Sequence, residues 1–385
     1  MLVMPTVPSR SALLALGLLS GAHVLVADNL HGQLPEDLDR LSSRELYEAS
    51  CANCHGSDGR GLDRAQVGFE ELLPDFTDCD FAAREPDSDW IAVSHDGGPA
   101  RGFSQMMPAF GEALTVEQIE RIMAHVRSLC TDPAWPRGEL NLPRALLTEK
   151  AFPEDEWVVE AGADLEGDGA VAAAYVFERR FGPRSQFEVV IPYGWIAAPD
   201  AGGAPGATRW VSGFGDVVLG VKHAAYHSAS SGTIFAAGAE LILPTGDETK
   251  GLGADGTKTE AFLSFGQILP SDAFVQAQVG AEVPLYGGAE NEAFGRLVAG
   301  RTWSVGGWGR SWTPMVEVQA KRELEGGASV ALDVAPQVQV SLNTRQHVLA
   351  NIGVVVPATH TAGRSMRLQA YVLLDWFDGG FFEGW

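Results

Sequence analysis

From residue 157 to the end of the chain, apolar and polar residues alternate with a period of two. In segment 330–340, Val, Leu and Pro occupy one set of alternate positions, and Ala, Asp and Gln occupy the other. The same alternation recurs in segments 275–283, 316–321 and 366–372. Successive side chains of a β-strand point to opposite faces of a sheet, so this period predicts half-buried antiparallel strands.

Counting such segments between turn residues gives about twelve strands, each near the ~10 residues of a membrane-spanning β-strand. An even number of strands fits a closed barrel of the outer-membrane type. One face of the predicted sheet is apolar, and the other carries Glu160, Asp164, Glu240, Gln276, Glu282, Lys321, Asp333 and Gln339. Periodicity does not say which face is inside, so a soluble periplasmic β domain is the alternative.

The first 27 residues have the pattern of a secretory signal peptide. An apolar run over 11–26 follows Arg10, and the small residues Ala22 and Ala27 offer cleavage sites. A membrane anchor is the alternative, but the run is shorter than the ~20 residues that a spanning helix needs. We therefore expect an exported chain, in which a β-barrel would occupy the outer membrane.

Aromatic residues near the end of the chain favour the membrane barrel over the soluble alternative. Trp385 ends the sequence, shortly after Trp376 and Phe377. Aromatic side chains collect at both interfaces of outer-membrane barrels. The barrel is therefore expected to lie in the outer membrane, surrounded by its lipid.

Residues 38–129 instead combine helical periodicity with loops rich in Gly and Pro. Ser42 and Ser43 stand at cap positions before a helix that leads into Cys51. Thr115 has the spacing of a capping box with Gln118 and is predicted to begin a closing helix. This part of the chain is expected to be a small all-α domain.

Four segments follow from these patterns. They are a signal peptide at 1–27, an all-α domain at 28–131, a Pro-rich linker at 132–155 and an antiparallel β-barrel domain at 156–385. The prolines of the linker forbid a long regular element, so we expect the linker to pack on a surface. The sequence does not decide whether the barrel is open or plugged by this linker.

The sequence Cys51-Ala52-Asn53-Cys54-His55 is the attachment motif of a c-type haem. Two thiols one helical turn apart can add to the two haem vinyl groups, and the adjacent histidine then ligates the iron. A disulfide or zinc site is the alternative, but no second ligand pair of suitable spacing follows. We predict one covalent haem c at Cys51 and Cys54, with His55 as its proximal ligand.

A methionine in the loop before the closing helix is expected to be the sixth iron ligand, because a thioether saturates the iron. Met107 is preferred, since Pro108 stiffens the backbone directly after it. Met106 is the first alternative. His95 is a weaker alternative, because it is expected to lie in an exposed turn.

Segment Leu38–Cys130 resembles a class I cytochrome c in having CxxCH in the first helix, a Met-Pro loop and a last helix that crosses the first. The resemblance implies a compact haem domain. The family usually has an aromatic residue in the last helix, where this sequence has His125. His125 is expected to be a packing residue and not a ligand.

The two remaining cysteines are Cys79 and Cys130. In an oxidising compartment they are expected to pair, which would tie the middle loop to the end of the last helix. Separate buried thiols are the alternative.

Two segments of the β half, 213–222 and 241–247, resemble the outer-membrane transporter family associated with the degradation of aromatic compounds such as phenol. The resemblance implies a barrel and a possible link to a small hydrophobic solute, without naming a substrate.

The formal net charge of −23 excludes nucleic acid as a partner, because binding to phosphates requires clustered Lys and Arg. An acidic surface suits a periplasmic redox partner protein with a basic face.

Our leading hypothesis is single-electron transfer by a periplasmic haem domain that the barrel anchors. A haem with six ligands has no open position, so we expect an electron carrier and not an enzyme; an absent Met ligand would permit peroxidase-like chemistry. The alternative is a small-molecule channel with the cytochrome as a redox sensor or docking module. Its lumen would be lined by Lys222, Glu240, Asp333 and Gln339.

Overall fold

The structure, a computed structural model, describes residues 38–70, 72–167, 169–199, 208–287 and 290–375. The predicted signal peptide and the aromatic residues Trp376, Phe377 and Trp385 lie outside the described residues. Within these ranges, no helix has both the length and the apolar character that crossing a membrane requires.

The N-terminal part of the described chain is helical. The side chains of Ser42 and Glu45 form a capping box at the first helix, and Thr115 and Gln118 form the predicted one at the last. The helices are α1 (Ser43–Ser50), α2 (Ala52–His55), α3 (Arg64–Val67), α4 (Cys79–Ala82), α5 (Asp87–Asp96) and α6 (Val116–Leu129).

Helices α1 and α6 pack against each other and form the core of this domain. Leu46 and Tyr47 on α1 and Ile119 and Ile122 on α6 are all buried. Full burial of a side chain such as Leu or Ile contributes about 1.5–3 kcal/mol. The helix pair thereby provides a stable frame for the loops between α2 and α6.

A disulfide joins Cys79, the first residue of α4, to Cys130, the residue after α6. The two residues are 51 positions apart in the sequence, with Cα atoms 5.1 Å apart. Closing a loop of this length restricts the unfolded chain and stabilises the fold by about 4 kcal/mol in the chain-entropy model.

The remainder of the described chain is a sheet of 14 strands. The strands are β1 (Glu156–Asp164), β2 (Ala170–Phe181), β3 (Ser185–Pro199), β4 (Thr208–Phe214), β5 (Val217–Ser228), β6 (Thr233–Leu243), β7 (Lys258–Leu269), β8 (Ala273–Pro284), β9 (Glu292–Arg301), β10 (Trp303–Ser304), β11 (Ser311–Glu323), β12 (Ala331–Ser341), β13 (Val348–Pro357) and β14 (Arg367–Asp375).

The sheet closes on itself as an antiparallel barrel. β1 pairs with β14 in the register Glu156↔Asp375, and β9 pairs with β11. β4 and β10 are extensions of the sheet outside the ring, which leaves 12 of the 14 strands in the barrel. The predicted two-domain fold, with a barrel of about twelve strands, is confirmed.

The polar face of the sheet is inside the barrel. In β12, Asp333, Gln337 and Gln339 are buried, as are Lys222 on β5 and Gln276 on β8. Large apolar side chains are exposed on the outside, including Val159, Leu219, Val279, Leu297, Val316, Ile352 and Val372. An apolar exterior suits lipid, whereas a soluble barrel has the opposite arrangement. The predicted outer-membrane location is confirmed.

Exposed aromatic side chains lie near both ends of the barrel. We call the end at which β1 begins and β14 ends the proximal end. Phe181 and Trp312 are exposed there, while Trp195, Trp210 and Tyr286 are exposed at the opposite end. Two such groups are typical of the aromatic girdles of outer-membrane barrels.

The prediction that segment 132–155 packs on a surface is wrong for its residues 140–155. Residues 140–155, which we call the plug, lie inside the barrel. Leu140 and Phe152 of the plug pack in one buried cluster with Ile234 on β6. Leu142 packs in another with Phe274 on β8 and with side chains of β9 and β11.

Ion pairs explain why the plug enters the lumen. The guanidinium of Arg144 lies 2.8 Å from Glu156, 3.2 Å from Glu178 and 3.4 Å from Glu160, all at carboxylate oxygens. Lys222 on β5 pairs with Glu149 of the plug. Burying the lumen carboxylates without these opposite charges would cost free energy. The plug and the polar face of the barrel therefore neutralise each other's buried charges.

Candidate haem-binding site

The CxxCH motif lies on the short helix α2, directly after α1. The hydroxyl of Tyr47 on α1 donates a hydrogen bond to the carbonyl oxygen of Gly56, at 2.7 Å. Gly56 has φ +73°, a positive value that favours glycine, and it turns the chain after His55. Both interactions fix the motif against the helical core.

A cavity of about 510 Å³ lies beside the motif. Cys51, Cys54, His55, Met106 and Met107 all line it. Most of the other lining residues are apolar or aromatic, among them Phe76, Phe81, Trp90, Val93, Phe110, Met123 and Val126. Cofactor sites are typically such apolar cavities with a few polar groups. The predicted attachment residues and both candidate methionine ligands are thus brought together.

Burial lowers the pKa of His55 to about 4, so its imidazole is neutral at pH 7. The neutral ring is the form that ligates a metal. The His55 ring stacks on Phe76, with centroids 4.9 Å apart and planes at 25°. Its Nδ1 is buried and has no hydrogen-bond partner among the described residues. The environment of His55 therefore fits a proximal iron ligand.

Backbone hydrogen bonds hold the methionine loop over the cavity. The amide of Gly98 donates to the carbonyl oxygen of Met107 at 3.0 Å, and the amide of Phe110 donates to Ser94 at 3.0 Å. A Cβ atom at Gly98 would lie 2.1 Å from the carbonyl oxygen of Ser104, so only glycine fits there. Met107 is half-buried, whereas Met106 is 49% exposed.

The structure does not place His95 at the cavity. His95 is on the last turn of α5, and its Nδ1 lies 2.6 Å from a carboxylate oxygen of Asp96. Its ring is 4.6 Å from the ring of Trp308, a barrel residue. His95, which was expected to lie in an exposed turn, thus contacts the barrel.

His125 makes the contact between the first and last helices that an aromatic residue makes in the resembled family. Its ring centroid lies 5.0 Å from that of Tyr47. Burial, with a smaller contribution from Arg44, lowers the pKa of His125, so the neutral ring is favoured. His125 is not among the residues that line the cavity in the described chain.

Sequence reasoning missed a group of charged residues on the cavity wall. Arg101 Nε lies 2.6 Å from a carboxylate oxygen of Asp89, and His347 Nε2 lies 2.9 Å from one of Glu85. These four residues and Arg345 line the cavity. His347 and Arg345 belong to the barrel, so no local pattern near the CxxCH motif could have indicated them.

Residues 40–126 match the family model described as cytochrome c oxidase, cbb3-type, subunit III. The chain is also 35% identical over 89 residues to cytochrome c6 of Aphanizomenon flos-aquae. That alignment covers 23% of this chain and 87% of the cytochrome.

Residues 167–263 match the family model described as "Putative MetA-pathway of phenol degradation". Among solved structures, an outer membrane channel from Pseudomonas putida F1 matches this chain with 14% identity and a TM-score of 0.42. The match covers 60% of this chain and 98% of the channel. Another is the KdgM porin (8% identity, TM-score 0.37), which covers 57% and 98%.

Both resemblances seen in the sequence are confirmed by the family matches. Through its N-terminal domain, this chain belongs to the cytochrome c family.

Proposed function

We propose that this protein is a mono-haem cytochrome that transfers single electrons on the periplasmic side of the outer membrane. The observation that carries the proposal is that Cys51, Cys54, His55 and Met107 line one apolar cavity. A bound haem c would supply one-electron redox chemistry at its iron. Cys51 and Cys54 would hold it covalently, and His55 and Met107 would ligate its iron.

The barrel connections support a periplasmic haem domain. Connections at the proximal end include 182–184 and 270–272, whereas the opposite end has longer ones such as 244–257 and 358–366. Outer-membrane barrels have short periplasmic turns and longer extracellular loops. The cytochrome domain contacts the proximal end, for example where Arg101 donates to the carbonyl oxygen of Trp308 at 2.6 Å.

Electrons would enter and leave where the cavity opens to solvent. Leu72 and Phe103 line the cavity and are 81% and 42% exposed. An apolar rim of this kind suits a brief contact with a redox partner protein. The net charge of −23 would attract a partner with a basic face, and salt would weaken this attraction.

A channel for a small hydrophobic solute is the second candidate. The match of residues 167–263 to the phenol-degradation family favours it. The plug stands against it, because Leu140 and Phe152 are buried in the lumen. Conduction would require the plug to move, so purified protein in liposomes should show little solute flux; a high flux would favour the channel.

Replacing the proposed sixth ligand tests the haem coordination. In Met107→Ala, we expect complete loss of the weak sulfur-to-iron absorption band of the oxidised protein. The reduced protein should also gain carbon monoxide binding, because the iron has an open position. Met106→Ala is the matched control and should keep the band. The opposite pattern would assign the ligand to Met106.

The haem potential is expected to depend on pH through Asp89 on α5. Burial and the nearby Glu85 carboxylate raise the pKa of Asp89 from 3.8 to about 6, against the opposing effects of Arg101 and His347. Ionisation of Asp89 adds a negative charge beside the cavity and favours the more positive oxidised haem. The potential should therefore fall as pH rises through about 6.

The free energy of unfolding should also depend on the protonation of Asp89. Because the pKa of Asp89 is raised in the folded state, its contribution to the free energy of unfolding is full below pH 3.8 and is lost as pH rises through about 6.

Asp89→Asn should flatten the pH dependence of the haem potential between pH 5 and 7, as potentiometric titration would show. Asp87→Asn on the same helix is the control, since Arg127 and Arg137 overcome burial and lower the pKa of Asp87. An unchanged slope in Asp89→Asn would exclude this role.

A further inference from the structure

The barrel reaches into the wall of the haem cavity. The connection 342–347 between β12 and β13 contributes Arg345 and His347 to the cavity lining. The Arg345 guanidinium lies 4.5 Å from the ring centroid of Phe103, which is in the cytochrome domain. His347 Nε2 lies 2.9 Å from a carboxylate oxygen of Glu85, also in the cytochrome domain.

Hydrogen bonds hold this connection in place. The amide of Asp375, the last residue of β14, donates to the carbonyl oxygen of His347 at 2.7 Å. The side-chain amide of Gln346 donates to the carbonyl oxygen of Gly309 at 3.0 Å, which joins it to the connection between β10 and β11. These hydrogen bonds fix the position of the connection that carries Arg345.

The chemistry of haem requires partners for two negative charges. The two propionate carboxylates lie on the edge of the porphyrin opposite the vinyl groups, which Cys51 and Cys54 would hold. Taking a carboxylate out of water is unfavourable unless opposite charges and hydrogen bonds compensate it. Arginine is the side chain best suited to this, because its planar fork can bind both oxygens of one carboxylate.

The arginines on the cavity wall are Arg101 and Arg345. Arg101 lies 2.6 Å from Asp89 and donates to the carbonyl oxygen of Trp308 at 2.6 Å, and Arg345 lies against the ring of Phe103. Glu85 and Asp89 add negative charge to the same wall, so the cytochrome domain alone supplies little net positive charge there. The barrel supplies the additional cation at Arg345.

We propose that the barrel completes the haem site, with Arg345 of the β12–β13 connection binding a haem propionate and His347 fixing that connection to the cytochrome domain. This inference rests on the proposed haem at Cys51 and Cys54. Haem attachment would then contribute to docking, because a haem held by Cys51 and Cys54 would have a charged contact with the barrel.

The test uses the full-length protein purified in detergent. Arg345→Gln removes the proposed charge, Arg345→Lys keeps it, and Arg310→Gln is the matched control. Arg310 is on the neighbouring connection, where it donates to the carbonyl oxygen of Leu342 at 3.5 Å, and it is not among the described residues that line the cavity. The readouts are the haem midpoint potential and the propionate bending band in the resonance Raman spectrum.

In Arg345→Gln, loss of the positive charge should favour oxidised haem by up to tenfold, a fall of about 59 mV for one electron. Its propionate band should shift, and Arg345→Lys should restore most of the potential. Arg310→Gln should match wild type in both readouts. If Arg345→Gln also matches wild type in both, the inference is overturned.

Haem content measured first separates the two proposals. Wild-type protein without covalent haem would contradict the proposed function itself. Haem-loaded wild type with an unaffected Arg345→Gln would contradict only the role of the barrel in the site.

Discussion

Replacing both motif cysteines, in Cys51→Ala/Cys54→Ala, is expected to abolish covalent haem completely. No thiol would remain to add to a vinyl group, so haem would separate from the denatured chain. Haem staining after denaturing electrophoresis measures this directly. The apolar cavity of about 510 Å³ would hold any haem only through non-covalent contacts, so the cytochrome domain should lose thermal stability.

The matched control replaces the other cysteine pair, in Cys79→Ser/Cys130→Ser. This variant removes the disulfide and is expected to lower stability by about 2–5 kcal/mol, but the recovered protein should still stain for haem. If the disulfide variant lost haem and the motif variant kept it, the assignment of the two cysteine pairs would be wrong.

Replacing the buried Arg144 of the plug, in Arg144→Met, is expected to cost about 3–5 kcal/mol of unfolding free energy. The change nearly preserves volume but leaves Glu156, Glu160 and Glu178 without the guanidinium that lies 2.8–3.4 Å from them. Glu156 and Glu178 have fully buried side chains, so water cannot replace the lost charge. Urea titration of the barrel in lipid vesicles measures the loss.

Arg44→Met is the control for the loss of an arginine ion pair as such. Arg44 lies 2.8 Å from Glu48, the same distance as in the buried pair, but its side chain is 70% exposed. Exposed pairs contribute little because water screens both charges, so this variant should unfold at the wild-type urea concentration. Equal effects of the two substitutions would mean that the plug pair does not stabilise the barrel.

The strands could be predicted because their signal is local. Alternation in segment 330–340 assigns Asp333 and Gln339 to one face, and those residues are buried in the lumen. Which face is inside depends on the surrounding solvent, so periodicity alone could not decide it. The aromatic residues quoted for the girdle lie outside the described residues, but Trp195 and Trp312 show the same trend.

The plug could not be predicted from the same local patterns. Its prolines correctly excluded a regular element, but they did not say where the segment lies. Its position depends on pairing between residues far apart in the sequence, such as Glu149 with Lys222 and Thr148 with Glu317. Charged residues in a Pro-rich segment before a polar-faced sheet were the available signal.

The haem site, too, could be predicted from the sequence only in part. CxxCH and the Met-Pro loop are short motifs whose chemistry can be read without the fold. The contributions of Arg345 and His347 require the barrel to close and the domains to dock, which brings His347 to Glu85 across 262 positions. The domain boundaries 28–131, 132–155 and 156–385 remain predictions, although β1 begins at Glu156.

The most direct test of the central claim, a covalent haem domain on an outer-membrane barrel, is haem staining of fractionated membranes that express the full chain. Outer membrane, inner membrane and soluble periplasm would be separated and compared on denaturing gels, with Cys51→Ala/Cys54→Ala as the negative control. We predict one haem-stained band in the outer-membrane fraction that resists salt extraction and is absent from the control. Haem-stained protein in the soluble periplasm, or an unstained chain in the outer membrane, would contradict the account.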